Sequence, residues 1–300
     1  MQQYLRPFAL DILRVSIWLA IVMVVFVPLE RLFTLHPQKV FRKSFPTDLA
    51  YYFLNNLSPK LLLIPPVAVI AWLLHFVIPS GLHSQVAALP AWIRFVAALM
   101  VAEIGFYWGH RWSHEIPFLW RFHSIHHSPE EMDWLVNTRG HPIDVMFTRL
   151  CGFVPMYVIG LTSPMAHSGD ALLFLVIFTG TLWGFFIHSN VKWRFGPLEW
   201  LVSTPAFHHW HHTYSGPINK NYAPLLPIVD VMFGTHHWQS KRWPERYGAI
   251  AEVPSSLVEQ VFDPLLPPYR SSPAPAEAGE DLAAAGGPRV QPQESQAQGD

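Results

Sequence analysis

The sequence predicts an all-α integral membrane protein, a helical bundle with a cytoplasmic cap of histidine-rich helices. Three observations carry that expectation. Of 300 residues, 51% are hydrophobic and 14% charged, where an average soluble domain has about 25% charged residues. Five long apolar segments are separated by loops that carry turn residues and charges. Twelve of the 17 histidines lie between His110 and His212, in clusters with helical spacing.

Taken in order, the first apolar run spans about Phe8 to Leu29, and about 20 apolar residues suffice to cross a bilayer core. Its length, Arg14 within it and the lack of a small-residue cleavage site make it an anchor rather than a signal peptide. The second, about Lys60 to Ile78, contains Pro65 and Pro66. Prolines remove backbone donors, so this segment is expected to kink or break and to be re-entrant rather than spanning. The remaining three run from about Ala91 to Trp108, Val145 to Leu161 and Ala171 to Ile187.

Positive charge orients them. Arg31, Lys39, Arg42 and Lys43 assign the first loop to the cytoplasm, because Ser80 to Pro90 carries no Lys or Arg. By the same rule His110 to His141, with Arg111, Arg121 and Arg139, is cytoplasmic, whereas Thr162 to Asp170 carries no Lys or Arg. The fourth and fifth segments then form a hairpin that returns the chain to the side of the first histidines. Residues 1–90 read as membrane anchor segments, 91–250 as the histidine-box domain with its transmembrane hairpin, and 251–270 as a C-terminal extension. Residues 271–300, rich in Pro, Ala, Gly, Gln and Glu and without aromatics, read as a disordered tail.

A net charge of −1 gives no electrostatic basis for nucleic-acid binding. Cys151 is the only cysteine, so neither an internal disulfide nor a thiolate cluster can form, and any metal needs other ligands. His110 and His114, in GHRWSHE, stand at i and i+4 where the third apolar segment ends, on one helix face. His123, His126 and His127 follow in FHSIHHS with offsets of three and four. The same offsets recur in His208, His211 and His212 of FHHWHHTY, with His209 as an additional member. Three such clusters among aromatic and apolar neighbours point to metal rather than to surface histidines.

His188, in FFIHSN, closes the fifth apolar segment and is a further candidate ligand. His141, in NTRGHPID, is a candidate ligand or a group that orients another imidazole, and Asp144, Glu115 and Asp230 are candidate acceptors for imidazole N–H groups. His36, His75, His83, His167, His236 and His237 are expected to be structural. Eight imidazoles exceed the four ligands of a closed zinc site and match two ions with four to five nitrogens each. Imidazole suits iron, zinc and copper alike, so spacing does not choose among them.

HRWSH, HSIHH and HHWHH resemble the three histidine boxes of the membrane fatty-acid hydroxylases and sterol desaturases, over about Glu103 to His237. NTRGHP and FIHSN resemble accessory motifs of the sterol desaturase branch. The resemblance implies a helical membrane fold, two Fe ions (Fe2+/Fe3+), dioxygen as co-substrate, and hydroxylation or desaturation of a sterol, fatty-acyl or related lipid. It also implies the ligands: His110 and His114, then His123, His126 and His127, then His208, His211 and His212, with His188 matching an additional ligand. One departure is Gly184, one helical turn before His188, where some family hydroxylases carry a second histidine. His141 is the candidate to compensate.

The sequence holds no Gly-rich dinucleotide fingerprint, no fused haem domain and no cysteine set for an iron–sulfur cluster. Electrons are therefore expected from an external donor such as cytochrome b5 or ferredoxin with its reductase. Three other readings compete. A zinc-dependent membrane hydrolase needs fewer histidines. A metal transporter would place ligands within the spans rather than at their ends. A haem carrier would need only a few axial histidines.

Overall fold

Apolar residues fill the long helices of this chain, and prolines and glycines cut them. The computed structural model describes residues 2–162, 171–238, 242–250 and 252–266. His167, the 271–300 tail and most of the loop between the last two apolar segments lie outside the described residues. In chain order the helices are α1 (Gln2–Leu32), α2 (Phe45–Leu57), α3 (Pro59–Leu62), α4 (Ile64–His75), α5 (Ser80–Ala87) and α6 (Ala91–Glu115). They continue with α7 (Pro117–His127), α8 (Pro142–Ile159), α9 (Ala171–His188), α10 (Pro205–His211), α11 (Ile228–Met232) and α12 (Leu257–Phe262). Among the described residues no strand forms, and the β-pairing seen is two isolated bridges, Thr34 with Val191 and Thr213 with Tyr247.

Four helices, α1 from Arg6 onward, α6, α8 and α9, are long and apolar enough to cross a membrane. Between 11% and 28% of their most apolar windows is buried inside the protein. Val24, Trp92 and Phe174 point outward. So much unburied apolar surface needs lipid around it, and the chain is a membrane protein.

The second apolar segment breaks at Leu63 into α3 and the 12-residue α4. Pro65 and Pro66 sit in the first turn of α4, where a missing N–H costs no helical bond. At about 1.5 Å per residue α4 covers roughly 18 Å, well short of a hydrocarbon core of about 30 Å.

α6 and α8 run antiparallel in close contact. A Cβ at Gly105 would overlap the Cys151 carbonyl, and one at Gly109 would lie 3.0 Å from Cys151 Cβ. Small residues let the two backbones approach. Ser113 near the end of α6 donates to Asp144 near the start of α8 at 3.0 Å. Beyond α6, Ile116 is extended (φ −98, ψ 114) because it precedes Pro117, and α7 folds back at that break. At its other end α8 stops at Gly160, φ +85, where the Leu161 N–H reaches the Met156 carbonyl at 2.9 Å in a Schellman closure. There the His83 ring lies 5.4 Å from Tyr157, and the Tyr157 hydroxyl donates to the Ala71 carbonyl at 3.2 Å.

The end of α1 joins the end of α9. Leu35 N donates to Asn190 O at 3.0 Å and Lys192 N to Phe33 O at 2.9 Å, while the Glu30 carboxylate accepts from the backbone N–H groups of Trp134 and Asn190. The ends of α1, α6 and α9 and the start of α8 thus meet at one pole, the histidine pole. Since α1 ends there and α6 begins at the opposite pole, α2 to α5 carry the chain the length of the bundle. The broken second segment runs along the bundle instead of looping back to the pole it left.

A buried charge network stiffens the histidine pole. The Arg42 guanidinium bonds both Asp133 oxygens, at 2.6 and 2.7 Å, and reaches Asp48, which also pairs with Arg139. Asp133 caps the short 3-10 turn Trp134–Thr138 by accepting from Leu135 N and Val136 N. Buried charges of this kind are tolerated because each is paired and hydrogen-bonded. Their effect is to fix the NTRGHP segment against the centre.

Candidate metal centre

Helical spacing sorts the clustered histidines. Residues four apart on a helix share a face, while the residue three positions on is rotated to the other side of that face. His110 with His114 on α6, and His123 with His127 on α7, form such pairs, and with His211 they make one group of five whose ring nitrogens lie within 4.8 Å of one another. His208 with His212 forms the third pair, and with His126 and His188 makes a second group of four to the same limit. His126 and His211, the members at offset three, each cross to the group opposite their neighbours. The two groups adjoin, since the rings of His127 and His212 stack at 4.4 Å.

Local chemistry sets these positions. Thr204 caps α10 by accepting from Phe207 N at 3.3 Å, and Pro205 takes the first helical position. Pro117 does the same for α7. The centre is dry: apart from His110 and His126, which are partly buried, every histidine of the two groups is buried.

Hydrogen bonds fix the tautomers. Nδ1 lies 2.8 Å from the Tyr222 carbonyl in His110, 2.7 Å from that of Arg139 in His126, 2.7 Å from that of Gly184 in His188 and 2.9 Å from that of Lys220 in His211. A carbonyl can only accept, so each of these Nδ1 atoms carries the proton and each Nε2 presents a lone pair. In His123, Nδ1 donates to the Asp144 carboxylate at 2.9 Å.

The inward nitrogens need a cation. In the first group Nε2 of His110, His114, His123, His127 and His211 is buried with no hydrogen-bond partner. In the second, Nε2 of His188 lies 3.3 Å from that of His126 and 3.1 Å from that of His208, and His212 Nε2 lies 3.2 Å from His208 Nε2. The bare lone pairs of His126 and His188 therefore face each other. A shared proton does not relieve this near neutrality, because burial pushes His126 down to about 4. Separations near 3.2 Å are about what nitrogens adopt around a common ion held at roughly 2.1 Å. The donor set fits metal, and it is all imidazole.

Other candidates lie elsewhere. His141 accepts from Ile143 N at 3.1 Å as the cap of α8 and donates from Nε2 to the Val261 carbonyl at 3.0 Å, so neither nitrogen faces the centre. Beside Gly184, a Cβ would lie 2.5 Å from Asn137 Oδ1, so the position one turn before His188 is filled by Asn137. His209 donates from Nε2 to the Ser189 carbonyl at 3.1 Å and accepts at Nδ1 from the Tyr247 hydroxyl at 2.9 Å. Asp144 grips an imidazole directly. Asp230 acts one step back, accepting from Tyr222 N and Ala223 N at 2.8 Å and so steadying the carbonyl that holds His110. Glu115 instead pairs with Arg111 at 2.7 Å.

Sequence reasoning missed Glu103, Arg139 and Tyr222. Glu103, inside apolar α6, accepts from Leu225 N and Leu226 N at 2.7 Å and ties the loop after α10 to the bundle. A lone carboxylate within an apolar run was the available signal. Arg139 and Tyr222 act through backbone carbonyls, for which no side-chain pattern exists.

Residues 95–235 match the family model described as fatty acid hydroxylase. That stretch is 141 of the 300 residues, and over it the chain is similar to the fatty acid hydroxylase family. Similar proteins include an ornithine lipid hydroxylase of Rhizobium tropici, 36% identical over 177 residues, 58% of this chain and 51% of the relative. An alkylglycerol monooxygenase of Xenopus tropicalis is 34% identical over 146 residues, 48% of this chain and 30% of the relative. A very-long-chain aldehyde decarbonylase of Oryza sativa subsp. indica is 29% identical over 161 residues, 52% of this chain and 58% of the relative. The chain thus spans about half the length of the first of these and less than a third of the second. No solved structure gives a significant match.

Proposed function

We propose that this protein is a membrane-embedded, oxygen-dependent lipid oxidoreductase, a hydroxylase or desaturase. In this reading His110, His114, His123, His127 and His211 hold one iron, and His126, His188, His208 and His212 hold the other. The observation that carries it is the convergence of nine imidazoles on two adjoining points at one pole of an apolar bundle, with five buried Nε2 atoms of the first group left without a hydrogen-bond partner. When bound, an iron pair supplies dioxygen activation strong enough to oxidise an unactivated C–H bond. The chain's own part is to aim the imidazoles of His126, His188, His211 and His110, through the carbonyls of Arg139, Gly184, Lys220 and Tyr222, and that of His123 through the carboxylate of Asp144. Burial excludes water from the reaction. The relatives named as hydroxylase and monooxygenase support oxidation over hydrolysis.

Residues 1–90 serve as anchor and 91–250 as the catalytic unit, with the histidine pole facing the cytoplasm by the charge rule. With the α2–α4 stretch counted as a broken crossing, the chain passes the membrane five times. Electrons come from a soluble donor of the cytochrome b5 or ferredoxin class, which approaches that pole while lipid enters from the side.

Metal analysis of protein expressed with iron available tests the reading. Two irons per chain with oxygen uptake on reduction is the expected result. Stoichiometric zinc that persists under iron supply, with ester or amide cleavage and no oxygen uptake, would replace it with a hydrolase. A transporter is disfavoured because both groups sit at helix ends, with no ligand path along the spans among the described residues.

A further inference from the structure

A charged side chain inside a membrane-spanning helix is costly, and where one persists it is paired or faces a binding cavity. Arg149 lies within apolar α8 and is half-buried. Among the described residues it makes no ion pair or hydrogen bond, in contrast to Arg42, Arg111 and Arg139.

Its position on the helix says where it faces. Val145 and Phe153 stand four residues to either side of Arg149 and Met156 seven beyond it, the spacing of a single helix face. Met156 is wholly buried, and Phe153 lines a cavity of about 200 Å³ between α4, α8 and α9. The neighbouring face, with Asp144, Thr148 and Cys151, packs on α6. Arg149 therefore shares the stripe of α8 that carries Val145, the cavity-lining Phe153 and the buried Met156.

Helical side chains lean toward the N terminus of their helix, which in α8 is the histidine pole. At about 1.5 Å per residue, the Arg149 backbone stands roughly 7 Å along the axis from Asp144, between that residue of the histidine pole and the cavity-lining Phe153. The cavity wall is mostly hydrocarbon, from residues such as Leu63, Ile64, Phe153 and Ile177, with Thr162 and Tyr157 as its hydroxyl-bearing members. The Tyr157 hydroxyl that also reaches it is already bonded to Ala71.

We propose that Arg149 binds the anionic oxygen group, carboxylate or phosphate, of the lipid on which the histidine groups act, while the alkyl chain lies in the apolar cavity. This rests on the reading of those groups as a lipid-oxidising centre. The guanidinium fork matches either anion with two parallel hydrogen bonds. An uncharged lipid would leave the cation unpaired in apolar surroundings, so the same contact selects against neutral lipids.

The test is binding of hexadecanoate, hexadecyl phosphate and hexadecan-1-ol to the metal-loaded protein in non-ionic detergent, followed by calorimetry, with metal content counted in parallel. Wild type is expected to bind at least one anion tenfold or more tighter than the alcohol, and which anion wins separates carboxylate from phosphate. R149Q should lose that preference and keep its metal. Equal affinity for anion and alcohol in wild type, or a preference that survives in R149Q, overturns the assignment. Should R149Q not fold, R149K keeps the charge without the fork; its preference should fall at least threefold, and an unchanged preference counts against the proposal. Because the readout is binding and metal is counted separately, absence of iron would sink the oxidising centre while the preference for anions still decides the role of Arg149.

Discussion

At the scale of single residues, the centre depends on which nitrogen of each ring is free. Replacing His126 or His211 by Ala removes one inward lone pair from each group, so both variants should lose bound metal and lipid oxidation. His83→Ala, at the far pole against Tyr157, should keep both; equal metal content in all three would refute the ligand assignment. Asp144→Asn keeps the shape but weakens the hold on His123, and such changes cost about 10–100-fold in metal affinity, to be read by chelator competition. The histidines themselves were legible because their spacing is local and their residue type rare. Their division into five and four was not, since it depends on how α7 and α10 dock, and so sends His126 and His127, or His211 and His212, to different groups.

At the scale of elements, glycines set the distance between helices. Gly184→Ala would place a Cβ 2.5 Å from Asn137 Oδ1 and push the Trp134–Thr138 turn off α9. Overpacking of this kind costs about 1–3 kcal/mol, seen as a lower unfolding temperature. Adding Asn137→Ala should recover part of it, and strict additivity of the two changes would show that the contact is not the cause. Four long apolar helices were legible from hydropathy, and the break near Pro65 and Pro66 from proline chemistry. The direction of α2 to α5 was not, because it follows from where α1 and α6 end, and only hydrogen bonds such as Leu35 to Asn190 reveal that.

At the scale of the whole molecule, burying so many neutral imidazoles links stability to pH. Burial pushes His126 down to about 4 and His209 down to about 3, from 6.5. An unfolded chain takes up protons near 6.5 that the folded metal-free chain refuses, so unfolding is favoured as pH falls from there toward 4 and 3. Each such histidine removes at most about 1.4 kcal/mol per pH unit over that window. The metal-free protein should therefore melt at steadily lower temperature from pH 7 to pH 5, and a flat profile would contradict neutral burial. Removal of residues 271–300, which contain no histidine, should leave lipid oxidation intact. The α6–α8 hairpin, α7 and His188 of α9 all precede α10 in the chain, yet both groups need α10: His211 for one, His208 and His212 for the other. During synthesis the spans can enter the bilayer and pack while neither group is complete. Metal capture is then a late event, gated by emergence of residues 205–212 from the ribosome, and a chain truncated before Pro205 would be inserted yet unable to close either cage.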